Sequence, residues 1–202
     1  MTTQQQQDIP QRVLHDLIAK DEINDALVRY CRGVDRRDAA LVRSAYHEGA
    51  PDDHGFTVVD SGWGLAELCD RDNPNGFPAE WSSTSHVLSN VLIRVDGDRA
   101  SSESTFVATM RMEHEGTRWN LVSSGRYVDE WERRDGGPFR ISSRIVVTDE
   151  TRTDEVPREW PGPDSSVPKV VPGAEGFPVP PNVPFGSATE ADPSYRTSIP
   201  LV

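Results

Sequence analysis

Asp35 and His86 are the residues whose types and setting point most directly to chemistry. Asp35 ends the stretch Leu27-Val28-Arg29-Tyr30-Cys31-Arg32-Gly33-Val34-Asp35, whose apolar spacing is helical. A carboxylate there faces the negative end of the helix dipole, an unfavourable position unless it has a proton-sharing partner. The candidate partner lies in Ser83-Thr84-Ser85-His86-Val87-Leu88-Ser89-Asn90. An Asp beneath a His in an apolar cavity is a compact general base that needs neither metal nor coenzyme.

Two further residues could join them. Tyr30 points with the helix's core stripe and could donate a hydrogen bond, although packing with its hydroxyl tied off is its default role. Arg144 shares a strand face with Ser142 and Val146, and a buried Arg needs an anion or several acceptors. A salt bridge at the sheet rim is its plainer reading. Taken singly, His86 reads as a core histidine and Asp35 as a surface partner of Arg36 or Arg37.

Metal and coenzyme chemistry are not expected. The histidines His15, His47, His54, His86 and His114 lack ligand spacing, and His47, Asp52, Asp53 and His54 read as a solvated loop. There is no Gly-rich phosphate loop and no nucleophile elbow. Cys31 and Cys69 form no metal or redox motif and read as buried free thiols in a reducing compartment.

The elements that must position these groups follow from periodicity. Val13, Leu14, Leu17 and Ile18, then Ile23, Leu27, Tyr30 and Val34, recur at helical spacing, with a possible break at Asp21. Asp38 is a plausible N-cap for a short helix over Ala39 to Tyr46. A turn at Pro51-Asp52-Asp53-His54-Gly55 precedes a short strand, Phe56 to Val59, and a third helix, Gly64 to Cys69. Four strands are then expected: Ser85 to Val95, Ser101 to Met112, Trp119 to Arg133 and Phe139 to Thr148. Asp96-Gly97-Asp98 and Asp135-Gly136-Gly137 are the turn signals between them. Thr84, His86, Leu88 and Asn90 alternate onto one sheet face. Helices followed by hairpin-linked strands predict an α+β domain over residues 9–150, with helices on a curved antiparallel sheet.

Residues 151–202 differ in character. They hold 11 of the 16 prolines, with Trp160, Phe177, Phe185 and Tyr195 spaced among them. This composition predicts an extended arm lying on the domain or on a neighbouring subunit.

The chain has 202 residues and a net charge of -12, enough for a real core and too acidic for nucleic acid or an anionic membrane surface. It has no apolar run of spanning length and opens without a signal-peptide core, so a cytoplasmic location is expected.

The combination resembles the SnoaL-like branch of the nuclear transport factor 2 superfamily. The matching stretches are Leu27 to Asp38, Tyr46-His47 with Asp52-Asp53-His54-Gly55, His86 with Asn90, Gly125-Arg126-Tyr127, Glu132 to Gly136 and Ile141-Ser142-Ser143-Arg144. The resemblance implies a cone-shaped fold around an apolar cavity. Three cofactor-free lyases of the branch are scytalone dehydratase, hexachlorocyclohexane dehydrochlorinase and bile-acid 7α-dehydratase. Each pairs an Asp near the end of the first long helix with a strand His as base, and Asp35 and His86 match. Tyr30 matches a Tyr of the bile-acid enzyme, and Arg144 matches a cavity Arg of the dehydrochlorinase. The second cavity His of scytalone dehydratase has no counterpart near Thr105-Phe106, which argues for another substrate.

The expectation is a cofactor-independent lyase with catalytic residues His86, Asp35, Tyr30 and Arg144, acting on a hydrophobic cyclic or aromatic molecule. Tyr46, His54, Phe56, Trp81, Leu88, Asn90, Phe106 and Trp119 are the candidates for contacting it. The superfamily implies a homo-oligomer, dimer or trimer. A ketosteroid-type isomerase remains open, as does a non-catalytic ligand-binding module or the small subunit of a ring-hydroxylating dioxygenase.

Overall fold

A computed structural model describes residues 9–55, 59–77, 81–156 and 192–197. Helix α1 (Gln11–Arg36) is followed by α2 (Ala39–Ala45), strand β1 (Asp52–Asp53) and α3 (Gly62–Cys69). Long strands β2 (Trp81–Asp96), β3 (Arg99–His114), β4 (Thr117–Arg133) and β5 (Phe139–Val156) come next, and a single 3-10 turn spans Pro193–Arg196.

The sheet is mixed and open, in the order β1-β5-β4-β3-β2. β2 to β5 form antiparallel hairpins, as the turn signals predict, while β1 adds a parallel edge to β5, with Asp52 opposite Arg144. Register shifts at Ser89/Leu92, Ser124/Gly125 and Glu130/Trp131 bend the strands, which is how a sheet curls over helices. The inward positions of β3 (Phe106, Ala108, Met110) and β4 (Tyr127, Trp131) meet Ile23, Leu27 and Tyr30 of α1 in one core. Truncating such a residue, for example Leu27→Ala, costs about 2–5 kcal/mol.

Several boundaries differ from the sequence reading. α1 is continuous through Asp21, whose exposed side chain needs no cap to be tolerated there. Val13, Leu14, Leu17 and Ile18 keep helical spacing but are exposed, because burial on α1 begins only at Ala19. α3 starts at Gly62, where Ser61 caps the Gly64 N–H. Asp38 caps α2 as expected, accepting from Leu41 N at 3.0 Å. β5 runs to Val156, past the strand end expected at Thr148, because β4 offers it partners as far as Arg118. Trp160, Phe177 and Phe185 lie outside the described residues. Tyr195 is half-buried, with the Arg32 guanidinium over its ring at 4.9 Å.

Candidate functional site

α1 ends one residue after Asp35, at Arg36. Arg37 turns left-handed (φ 53°), and the Asp38 N–H returns to Gly33 O at 2.8 Å, so the chain reverses sharply into α2. Gly33 permits this: a Cβ there would sit 2.7 Å from Val42 Cγ2 and 2.8 Å from Val42 N. The reversal leaves Asp35 beside β2. Its Oδ1 accepts from His86 Nδ1 at 2.7 Å, and its Oδ2 accepts from the His86 backbone N–H at 3.0 Å. Both side chains are largely buried, 13% and 8% exposed. A carboxylate only accepts, so Nδ1 carries the proton and Nε2 is the basic nitrogen.

His86 lines a narrow cavity of about 30 Å³ together with Tyr30, Arg37, His54 and Thr84. Val34, Leu65, Phe77, Trp81 and Met110 supply its apolar wall, with Phe77 and Trp81 stacked at 5.0 Å. His86, with Asp35, also borders a wider groove of about 550 Å³ along the α1 residues Arg29, Arg32 and Arg36.

Arg144 is placed differently from the expectation that it faces a ligand. Its side chain is fully buried and bound to Asp129, Nε to Oδ1 at 2.6 Å and Nη2 to Oδ2 at 2.8 Å. The guanidinium lies 4.2 Å from the ring centres of both Tyr30 and Tyr127. Burial alone would make Arg144 release its proton more readily, but Asp129 and the tyrosines reverse this and hold it charged. Burial pushes the Asp129 carboxyl up, against the pull of Arg144. The sequence reading missed Asp129, although it alternates with Tyr127 and Trp131 on the inward face of β4. Tyr30 is likewise fully buried. Its hydroxyl interacts with Tyr127 without a well-formed hydrogen bond. Burial, then Tyr127 and Tyr46, raise its titration well above the ordinary range, so it remains a neutral donor.

Asp52 and His54 are not solvated, because β1 pairs with β5 and turns them inward, while Asp53 between them stays exposed. Asp52 is 2% and His54 9% exposed. His54 Nδ1 meets Asp52 Oδ1 at 2.9 Å, and the Tyr46 hydroxyl donates to Asp52 Oδ2 at 2.6 Å. The Tyr46 ring lies against Gly62, where any Cβ would collide with it. Burial would raise Asp52, but His54, Arg144 and Tyr46 outweigh it and hold the carboxyl below its usual range. His47 turns away, its Nε2 bound to Glu132 O at 2.9 Å. Among the described residues no group of three or more His, Cys, Asp or Glu is arranged to hold a metal ion.

Residues 15–145 match the SnoaL-like domain family. The chain belongs to this family. Solved structures share its fold. Hexachlorocyclohexane dehydrochlorinase LinA type 2 aligns with a TM-score of 0.61 and 18% identity, over 75% of this chain and 97% of that one. LinA-type3 from Novosphingobium barchaimii gives 0.61 and 19%, over 74% and 99%. A candidate scytalone dehydratase from Novosphingobium aromaticivorans gives 0.58 and 19%, over 70% and 91%. At these identities the likeness is one of fold. No curated protein matches the sequence.

The SnoaL-like scaffold brings together Asp35, His86, Tyr30, His54 and Trp81, and packs Leu88 against the same core. Tyr46 does not line the cavity itself; it bonds Asp52 and packs edge-on against Tyr30 at 5.9 Å. Phe106 is buried and stacked on Tyr127 at 4.6 Å, behind the cavity wall. Asn90 is exposed: the bulge at Ser89/Leu92 puts it at φ 49° and breaks the alternation that would have turned it inward. Trp119 pairs with Met112 and Glu155 near the far end of β4 and does not line the cavity. Phe56 lies outside the described residues. Burial pushes the Cys31 and Cys69 thiols up to about 12, so both stay protonated and inert. No helix among the described residues is long and apolar enough to cross a membrane.

Proposed function

We propose that this SnoaL-like protein is a cofactor-independent lyase. It eliminates water, or another small fragment such as formaldehyde from a lignin-derived diaryl compound, from a hydrophobic cyclic or aromatic molecule. The observation that carries this reading is the two-point hold of Asp35 on His86 at a cavity wall. His86 Nε2 removes a proton from the substrate. Asp35 fixes the tautomer and stabilises the imidazolium as it forms. Tyr30, kept neutral, donates to the leaving oxygen or to a substrate carbonyl. Arg144 acts through Tyr30 and Tyr127, over whose touching rings its guanidinium lies, and not by touching substrate.

An isomerase of the ketosteroid type needs a carboxylate base in the cavity. Asp52 and Asp129 are buried, but His54 and Tyr46 occupy the first and Arg144 the second. Elimination by His86 is the better fit.

The test is to incubate the protein in deuterated water with a panel of hydroxylated and halogenated cyclic and aromatic compounds. Mass spectrometry then reads loss of water, hydrogen halide or formaldehyde. Turnover that vanishes in His86→Ala supports the reading, and turnover that survives it overturns the assignment.

A further inference from the structure

The groove that His86 and Asp35 border is lined along α1 by three arginines, Arg29, Arg32 and Arg36, beside Val28 and Cys31. Spacings of three and four place the three on one side of the helix. Their protein partners leave donor capacity unused. Arg29 donates through Nε to the neutral Ser44 hydroxyl at 3.3 Å, and Arg32 through Nη1 to the neutral Ser194 hydroxyl at 3.2 Å. Arg36 faces a carboxylate, Asp192, at 3.4 Å. The Nε atoms of Arg32 and Arg36 are buried without a hydrogen-bond partner among the described residues. A guanidinium N–H buried and unmatched is unfavourable, and a carboxylate is the acceptor that fits it best. The groove's own acids do not fill that role: His86 holds both oxygens of Asp35, and Asp25 is exposed. Size points the same way. The cavity of about 30 Å³ has room for little more than a water, whereas a groove of about 550 Å³ has room for a ring-bearing molecule.

We propose that this groove binds the carboxylate of a cyclic or aromatic acid, with Arg29 and Arg32 as its donors and Arg36 adding positive charge, so that the molecule brought to His86 is an organic anion. What His86 then does to that molecule rests on the elimination reading, whose substrate class is narrowed here from hydrophobic rings in general to acids. A guanidinium presents a planar fork of N–H groups that matches the two oxygens of a carboxylate. Val28 and the protonated Cys31 give the ring an apolar surface beside that fork. The whole chain, at a net charge of -12, repels organic anions at long range. A preference for an acid over its neutral isostere therefore has to come from a local cluster of cations such as this one.

The test compares 2-naphthoate with 2-naphthamide, its neutral isostere, on the full-length protein at neutral pH, with affinity read by calorimetry and location by nitrogen-15-labelled histidine. Naphthoate should bind about tenfold or more tighter than naphthamide and lose affinity as salt is added. It should shift the ring signals of His86 and leave those of His114, exposed at the end of β3, in place. Arg29→Gln and Arg32→Gln should each remove most of the preference for the acid. Equal binding of acid and amide, a preference that survives either substitution, or an unshifted His86 overturns the inference. The wild-type comparison decides the matter even if a variant fails to fold. Failure here is separable from failure of the elimination reading. Turnover of neutral rings that vanishes in His86→Ala, with no preference for acids in binding, overturns the groove assignment and leaves elimination standing. Acid-selective binding at the arginines, with turnover that survives His86→Ala, supports the groove and overturns elimination.

Discussion

Both carboxylate oxygens of Asp35 bind one residue, His86: Oδ1 its ring Nδ1 at 2.7 Å, Oδ2 its backbone N–H at 3.0 Å. The second bond does more than add energy. It ties the helix end to the strand at the residue whose ring must be aimed, so the imidazole's orientation is set by backbone as well as side chain. It also offsets the poor position of a carboxylate at a helix C-terminus.

From that arrangement, His86→Ala should lower turnover by about two to four orders of magnitude. Asp35→Asn should be nearly as damaging. An amide has one acceptor oxygen for two donors, and its NH2 would face one of them. The double variant should be little worse than the worse single, because residues acting as a unit are not additive. Steady-state rates on proteins checked for folding by circular dichroism decide this, and near-normal turnover in His86→Ala would move the base elsewhere.

Arg144 should prove structural. Removing one member of a buried ion pair leaves the other charge uncompensated, at a cost of about 3–5 kcal/mol. Arg144→Met should therefore lower the melting temperature sharply, and Arg144→Met with Asp129→Leu should recover much of the loss. A stable Arg144→Met protein with lost turnover would instead show that the guanidinium serves the substrate directly.

The helix pattern, the hairpin turns and the Asp35–His86 pairing were legible in the sequence because each is a local or single-partner rule: periodicity, turn chemistry, a carboxylate in want of a donor. What escaped depended on register between distant strands. Asp129 is opposite Arg144 in the β4–β5 ladder, and Asp52 is opposite Arg144 in the β1–β5 pair. Neither pairing is written in spacing along the chain. Asn90 failed for a related reason: period-two alternation predicts a face only until a bulge resets it, and nothing in Ser89-Asn90-Val91 announces the bulge. Val13 to Ile18 show the converse, since helical apolar spacing says that a face exists but not that anything covers it.

Asp52 should leave a signature in acid stability. Its folded titration lies below the ordinary value of 3.8, so it contributes stability that is fully present above that value and lost as pH falls through the folded one. The melting-temperature gap between wild type and Asp52→Asn should shrink as pH falls below 3.8. A gap that widens below that pH would contradict an ionised Asp52 in the fold.

Residues 192–197 should behave as a light clamp on α1. Asp192 is buried and pairs with Arg36 at 3.4 Å, while Arg32 donates to Ser194 Oγ at 3.2 Å and covers the Tyr195 ring. Arg32 and Arg36 also border the groove that His86 and Asp35 share, so the clamp sits at the rim of the proposed site. Partly exposed ion pairs contribute about 0–1 kcal/mol each, so Arg32→Ala with Arg36→Ala should lower stability only slightly. Local opening is a more sensitive reading than the melting temperature. In the double variant, amide hydrogen exchange at residues 192–197 should rise toward that of a free chain, with exchange in the middle of α1 unchanged. If residues 192–197 stay protected, this segment is held by contacts other than these two arginines.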